Sequence, residues 1–296
     1  MELGYNALLV LTGAGLLGFT GGATGTFLVL RKRALLSDAI SHATLPGVAL
    51  AFMAMVALGG EGRNLFGLML GAALSAGIGL AVVQWLTGRT RLAEDAAIGA
   101  VLSVFFGAGV VLLTVIQTMT AGRQAGLEAF LLGSTAGMLR SEAEIIAAGG
   151  ALCLLAVAGL RRLLVLAAFD PGYAESIGMN PRRIDAALMM LVLAVVVVGL
   201  KIVGLVLIVA LLIIPPVAAR FWTDRAGVMA VIAGLTGAAA GAGGALISAL
   251  VPGVPTGPVI VLLAAGAFVL SMIFSPKRGV LAALARRRRW RAEVME

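Results

Sequence analysis

Residues 185–220 read DAALMMLVLAVVVVGLKIVGLVLIVALLIIPPVAAR, and this stretch decides the fold. Between Asp185 and Arg220 the only charge is Lys201. One membrane crossing needs about 20 apolar residues, so the run is too long for a single span. Gly199-Leu200-Lys201-Ile202-Val203-Gly204 interrupts it near the middle. The glycines there supply a bend, and the run reads as two spans, 185–200 and 202–220, joined by a tight turn. With the preceding basic loop inside, Lys201 lies near the outer surface. It either snorkels to the interface or forms, with Gly204, part of an external gate.

The rest of the chain has the same character. Of its 296 residues 61% are hydrophobic and 12% charged, and the mean hydropathy is +1.09. Soluble domains carry about 25% charged residues, so this much apolar surface has no water-soluble core to enter. The 40 glycines agree with membrane helices. The expected fold class is an all-α polytopic membrane protein, a bundle of about eight or nine transmembrane helices. The other spans fall near 6–30, 43–59, 65–87, 94–118, 142–165, 227–250 and 258–274. Residues 119–141, with Gly133 and Gly137, read as a short external or re-entrant helix. The N-terminal stretch carries Glu2 and no Lys or Arg, and its apolar run continues to Leu30, unlike a signal peptide. Cys153, the one cysteine, excludes an internal disulfide.

The net charge of +8 is distributed at the ends of apolar runs. Arg31-Lys32-Arg33, Arg89/Arg91, Arg161-Arg162, Arg182-Arg183, Arg220/Arg225 and the tail from Lys277 form the positive-inside pattern. Together they place the N-terminus outside and the C-terminus in the cytoplasm, with an odd number of crossings. Residues 1–276 read as a transmembrane domain, and 277–296 as a basic cytoplasmic tail attracted to anionic lipid. This distribution argues against a nucleic-acid role.

Small residues recur at four-residue spacing in three stripes: Gly18, Gly22 and Thr26; Gly67, Gly71, Ser75 and Gly79; Gly237, Gly241 and Ala245. Such stripes let helices approach closely in lipid. The longest polar interruption, Phe169 to Arg183, lies on the cytoplasmic side. Asp170 can cap a short helix there, Pro171 suits its first position, and Gly178 can end it. A short surface helix at this point suits docking by another protein. No phosphate-binding loop, His-Glu-x-x-His pattern or nucleophile elbow is present in the sequence, so the chain offers no ATPase or hydrolase machinery of those kinds.

One constellation carries chemistry. Asp38 and His42, the sole histidine, stand at i and i+4, on one face of a helix. A carboxylate and an imidazole suit a divalent metal ion, and ionisable groups in a membrane are functional candidates. Ser37 is the expected N-cap, leaving Asp38 in the first turn. One Asp and one His are half a site, and a two-fold dimer would supply the other half at its axis. Pro46 and Gly47 follow one turn later. Pro215-Pro216 bend another helix, and Glu94 and Asp95 open a span.

The residues resemble the permease subunits of ABC importers for manganese, zinc and iron. The resemblance rests on residues 25–31, on Ser37-Asp38-Ala39-Ile40-Ser41-His42-Ala43-Thr44-Leu45-Pro46-Gly47-Val48-Ala49 and on Glu94-Asp95-Ala96-Ala97-Ile98-Gly99. Lys201-Ile202-Val203-Gly204, residues 211–216 and Pro255-Thr256-Gly257-Pro258-Val259 add to it. It implies a permease working as a homodimer or with a related paralogue. Cytoplasmic ABC ATPase subunits would drive it, and an extracytoplasmic metal-binding protein would deliver Mn2+, Zn2+ or Fe2+ as cargo, with no permanently bound cofactor. It also implies that Asp38 and His42 line the transport path, and that Asp170, Pro171, Glu175 and Gly178, within a coupling segment near 170–183, dock the ATPase. The chain itself would not be an enzyme. The alternatives are an ABC permease for metal chelates (siderophore or cobalamin), a secondary metal transporter and an intramembrane metal-dependent enzyme. The Asp38/His42 pair favours a bare ion.

Overall fold

The computed structural model describes residues 5–60, 62, 64–119, 140–251 and 253–284, excepting the side chains of Asn6, Ser141, Lys201, Ile202, Val203 and Val206. In chain order the helices are α1 (Tyr5–Leu30), α2 (Ala34–Ala57), α3 (Leu65–Arg89), α4 (Glu94–Thr118), α5 (Arg140–Phe169), α6 (Pro171–Ser176), α7 (Pro181–Trp222), α8 (Ala226–Leu250) and α9 (Thr256–Phe274). No strand occurs among the described residues. Among the described residues eight helices are long and apolar enough to cross a membrane, and a shorter apolar helix, Leu207–Trp222, completes α7. The chain is a multi-pass membrane protein. The segment 119–141 read as an external helix lies almost wholly outside the described residues, as does the tail from residue 285.

Two helix groups make the bundle. Helices α2, α3 and α4 pack together, as do α1, α5, α7, α8 and α9, and α7 joins the groups by lying against α2 and α3. The small-residue stripes set these seams. A methyl placed on Gly18 would stand 2.1 Å from the Gly237 carbonyl oxygen, and one on Gly22 would stand 2.3 Å from that of Ala233. The first and third stripes therefore face each other, with α1 and α8 antiparallel. The second stripe meets α2, where a methyl on Gly47 would stand 2.0 Å from the Gly71 carbonyl oxygen.

Helix α7 folds back on itself, as the interrupted apolar run suggests. Its first end lies beside Arg31, which pairs with Asp185. Its last residues lead into α8, whose start lies at that same end of α1, because Gly22 meets Ala233 while Gly18 meets Gly237. Gly199 packs on Ile208 across the bend. The reversal centres on Gly204, with φ 76° and ψ 172°. That region is essentially open to glycine alone. Gly204→Ala should lower stability by about 1–3 kcal/mol, the usual cost of such strain. A thermal unfolding series in detergent measures it, and an unshifted midpoint contradicts the assignment.

The start of α2 corrects one expectation. Ser37 is not its N-cap. The helix begins at Ala34, and Arg33 holds the cap position without a side-chain hydrogen bond. The Ser37 hydroxyl instead donates back to the Ala34 carbonyl at 2.6 Å, inside the first turn. Asp38 therefore lies in the second turn and draws less on the helix dipole. The preceding turn closes back on the end of α1 (Lys32 N to Val29 O at 3.0 Å, Arg33 N to Leu28 O at 3.1 Å), so the new helix starts four residues earlier than a Ser37 cap would set.

Candidate functional site

On α2 the i,i+4 spacing does what the sequence suggests. His42 Nε2 and Asp38 Oδ1 stand 3.4 Å apart. That is long for a hydrogen bond. It is also about the separation of two ligands on a tetrahedral ion at roughly 2.1 Å from each. The Asp38 side chain is 41% exposed and that of His42 24%. The other ring nitrogen, Nδ1, is buried without a hydrogen bond among the described residues. The ring meets that of Phe106 of α4 in a T-shaped contact, with centroids 5.1 Å apart at 87°. With Nδ1 buried and the Asp38 side chain 41% exposed, Nε2 and the carboxylate form the accessible part of the pair. Pro46 has no N–H to give the His42 carbonyl, so that oxygen is released from the α-helical ladder.

No group of three or more His, Cys, Asp or Glu side chains that could hold a metal ion occurs among the described residues. Within one chain the pair stays half a site. It opens beside an exposed face of α4, where Gly99, Ser103 and Gly107 repeat at four-residue spacing. Methyls on Gly99 and Gly107 would meet nothing within 4 Å. This stripe was missed in the sequence, although the spacing rule that found the other three would have found it.

The short helix forms as read. Asp170 Oδ1 accepts from Tyr173 N at 2.8 Å. Pro171 occupies the first helical turn, and Gly178, with φ 82°, ends the turn. Ala174 is buried, whereas Pro171, Tyr173, Glu175 and Ile177 are exposed. Of the gate candidates, Gly204 makes the reversal described above, and the Lys201 side chain lies outside the described residues.

The basic end also holds an ion-pair node that the sequence did not reveal. Arg31 donates through Nη1 to the Ala167 carbonyl and through Nη2 to Asp185 Oδ2 at 2.5 Å. Arg33 Nη1 lies 3.2 Å from the same oxygen, and Arg33 Nε lies 3.1 Å from Glu94 Oε1. Glu94, in the first turn of α4, thus has a partner beyond the helix dipole.

The description "ABC 3 transport family" fits residues 5–275. The manganese transport system membrane protein MntC of Bacillus subtilis (strain 168) is 41% identical over 286 residues, or 97% of this chain and 65% of its own length. The chain thus spans a little under two thirds of that relative. The zinc transport system membrane protein TroC of Treponema pallidum (strain Nichols) is 40% identical over 285 residues, or 96% of this chain and 94% of its own length. Among solved structures, a chain of PsaBC from Streptococcus pneumoniae in complex with Fab superposes with a TM-score of 0.81 at 30% identity, covering 94% of this chain and 95% of that one. An inward-facing transporter assigned to the metal-chelate type shares the fold alone, with a TM-score of 0.69 at 17% identity over 89% of this chain and 84% of that one.

Proposed function

The chain belongs to the ABC 3 transport family and is a transport permease, and from that membership we propose that it carries divalent transition-metal ions inward across the bacterial cytoplasmic membrane. The cargo is manganese, zinc or ferrous iron. ATP hydrolysis takes place on separate cytoplasmic subunits, and an extracytoplasmic binding protein delivers the ion. The observation that carries the reading is the Asp38–His42 pair, 3.4 Å apart on the open face of α2, in a chain about as similar to a manganese as to a zinc transport membrane protein.

A second copy of the chain, or a paralogue, completes the site. The exposed Gly99, Ser103 and Gly107 stripe beside it supports this, since small residues at that spacing let two helices approach in lipid. Two carboxylates and two imidazoles then meet at the axis, a set that suits zinc and accepts manganese with further oxygen ligands. Alternating access moves the ion past them, with the Lys201–Gly204 turn as the outer gate. Transport by metal chelates is less supported, because the chelate-type likeness is of fold alone. Proteoliposomes holding the assembled transporter test the reading. Uptake of free Mn2+ or Zn2+ on ATP addition supports it. Uptake of a ferric chelate instead, or equal metal uptake without ATP, overturns it.

The α6 segment docks the ATPase through its exposed side chains. Asp170→Ala removes the cap, at a cost of about 1 kcal/mol. In a helix of six residues that loss frays the whole docking element. ATPase affinity should fall about five-fold, as read by titrating the ATPase subunit onto the solubilised permease. An unchanged affinity contradicts docking at α6.

A further inference from the structure

The node at the basic end has a geometry that positive-inside charge alone does not require. Helix α6 hangs between the last turn of α5 and the start of α7. Ala167 lies three residues before Asp170, and Asp185 lies in the first turns of α7. One guanidinium grips both flanks, with Arg31 Nη1 on the Ala167 carbonyl and Nη2 on Asp185. The chain of pairs then runs through Arg33, the residue that caps α2, to Glu94 at the start of α4. Asp38 and His42 follow Arg33 within three turns of the same helix.

The inner pair is largely withdrawn from solvent, with side chains 15% exposed for Arg31 and 12% for Asp185. A charge so placed strongly resists losing its partner. When the flanks of α6 move, the Arg31–Arg33 turn is therefore drawn with them. Helix α2 passes the motion on, because Arg33 at its cap and the Asp38–His42 pair lie on one continuous stretch of helix before Pro46. Buried Arg31 Nε and Asp185 Oδ1 have no hydrogen bond among the described residues, which leaves the node capacity to exchange partners as it shifts.

We propose that the Arg31–Asp185 pair, extended by Arg33 and Glu94, links movement of the α6 segment to the Asp38–His42 end of α2. Arg31 and Asp185 are then positioning residues for transport, acting through α2 without touching the ion. The inference rests on the permease reading above. Arginine is required at position 31 because two separate nitrogens serve two separate acceptors, which a lysine ammonium on a single stem does not reproduce.

The test uses the whole transporter, this chain with its ATPase and binding protein, in proteoliposomes supplied with Mn2+ or Zn2+. The readout is metal ions imported per ATP hydrolysed, with the amount of co-purifying ATPase as the assembly control. In Asp185→Asn and Arg31→Lys the ATPase stays bound and ATP is still consumed, while ions per ATP fall about five-fold or more, the low end of measured inter-site couplings. Glu94→Gln, at the exposed rim, gives a smaller fall in the same direction and serves if either inner variant does not assemble. An unchanged ratio across the variants that assemble overturns the inference, and so does a loss of import matched by an equal loss of hydrolysis. Wild-type vesicles that import no metal on ATP addition overturn the permease reading itself.

Discussion

Asp38→Ala combined with His42→Ala should reduce ATP-driven metal uptake by about 100-fold or more while leaving the protein folded. The size follows from the site. Even outer-shell partners of metal ligands cost about 10–100-fold when removed, and this double change removes every His and carboxylate that α2 offers at the point where the ion is proposed to pass. The fold should tolerate it. Asp38 makes no contact that buries its carboxylate, and the His42 ring gives up one edge contact with Phe106, worth about 0.5–1.5 kcal/mol. Uptake of Mn2+ and of Zn2+ into reconstituted vesicles, at matched protein levels, measures the effect. The single changes divide it. His42→Ala should hurt zinc more, because imidazole suits zinc, and Asp38→Ala should hurt manganese more, because carboxylate suits manganese. Uptake of both metals at the wild-type rate in the double variant would remove the pair from the path.

The largest effect on stability should come from the α1–α8 seam. In Gly18→Leu with Gly22→Leu, each new side chain begins where its first carbon stands 2.1 Å and 2.3 Å from a carbonyl oxygen of α8. Those are backbone atoms held in their own helix, so no rotamer relieves the clash. The helices must separate, and the seam that orders α1 against α8 opens along its length. Overpacking by a few atoms costs about 1–3 kcal/mol where a core can yield. Here it cannot yield, and the double change should exceed about 5 kcal/mol, leaving little monodisperse protein after extraction. Gly77→Ala is the control. A methyl there meets nothing within 4 Å, and alanine in a helix is favoured over glycine by about 1 kcal/mol. Size-exclusion profiles after graded heating separate the cases. A Gly18/Gly22 variant as stable as Gly77→Ala would mean the helices are not in backbone contact.

Much of this was legible because it depends on neighbours in the chain. The turn at Gly204, the Asp170 cap, the Gly178 stop and the Asp38–His42 spacing need only a few consecutive residues and the period of a helix. The Ser37 cap was misread although its cause is local too. Ser37 is a good cap type, but Lys32 and Arg33 bond back onto the last turn of α1 and let the helix start four residues earlier. The α4 stripe shows a third case, a local pattern that gains meaning only once the Asp38–His42 pair is seen to open beside it.

The sequence by itself determined that the protein is an all-helical membrane protein, which end of it is basic, where its long apolar run reverses and that its one histidine, His42, stands one helical turn after Asp38. Apolar length, charge asymmetry and helical period are properties of short windows, and lipid leaves the backbone few alternatives. Only the tertiary structure decided that two of the small-residue stripes face each other, and that Arg31 reaches an aspartate 154 residues away. Arginines at helix ends all satisfy the same topological rule, so the residues around Arg31 do not distinguish it. What singles it out is the docking of α1, α5 and α7, which buries its guanidinium against one carbonyl and one carboxylate.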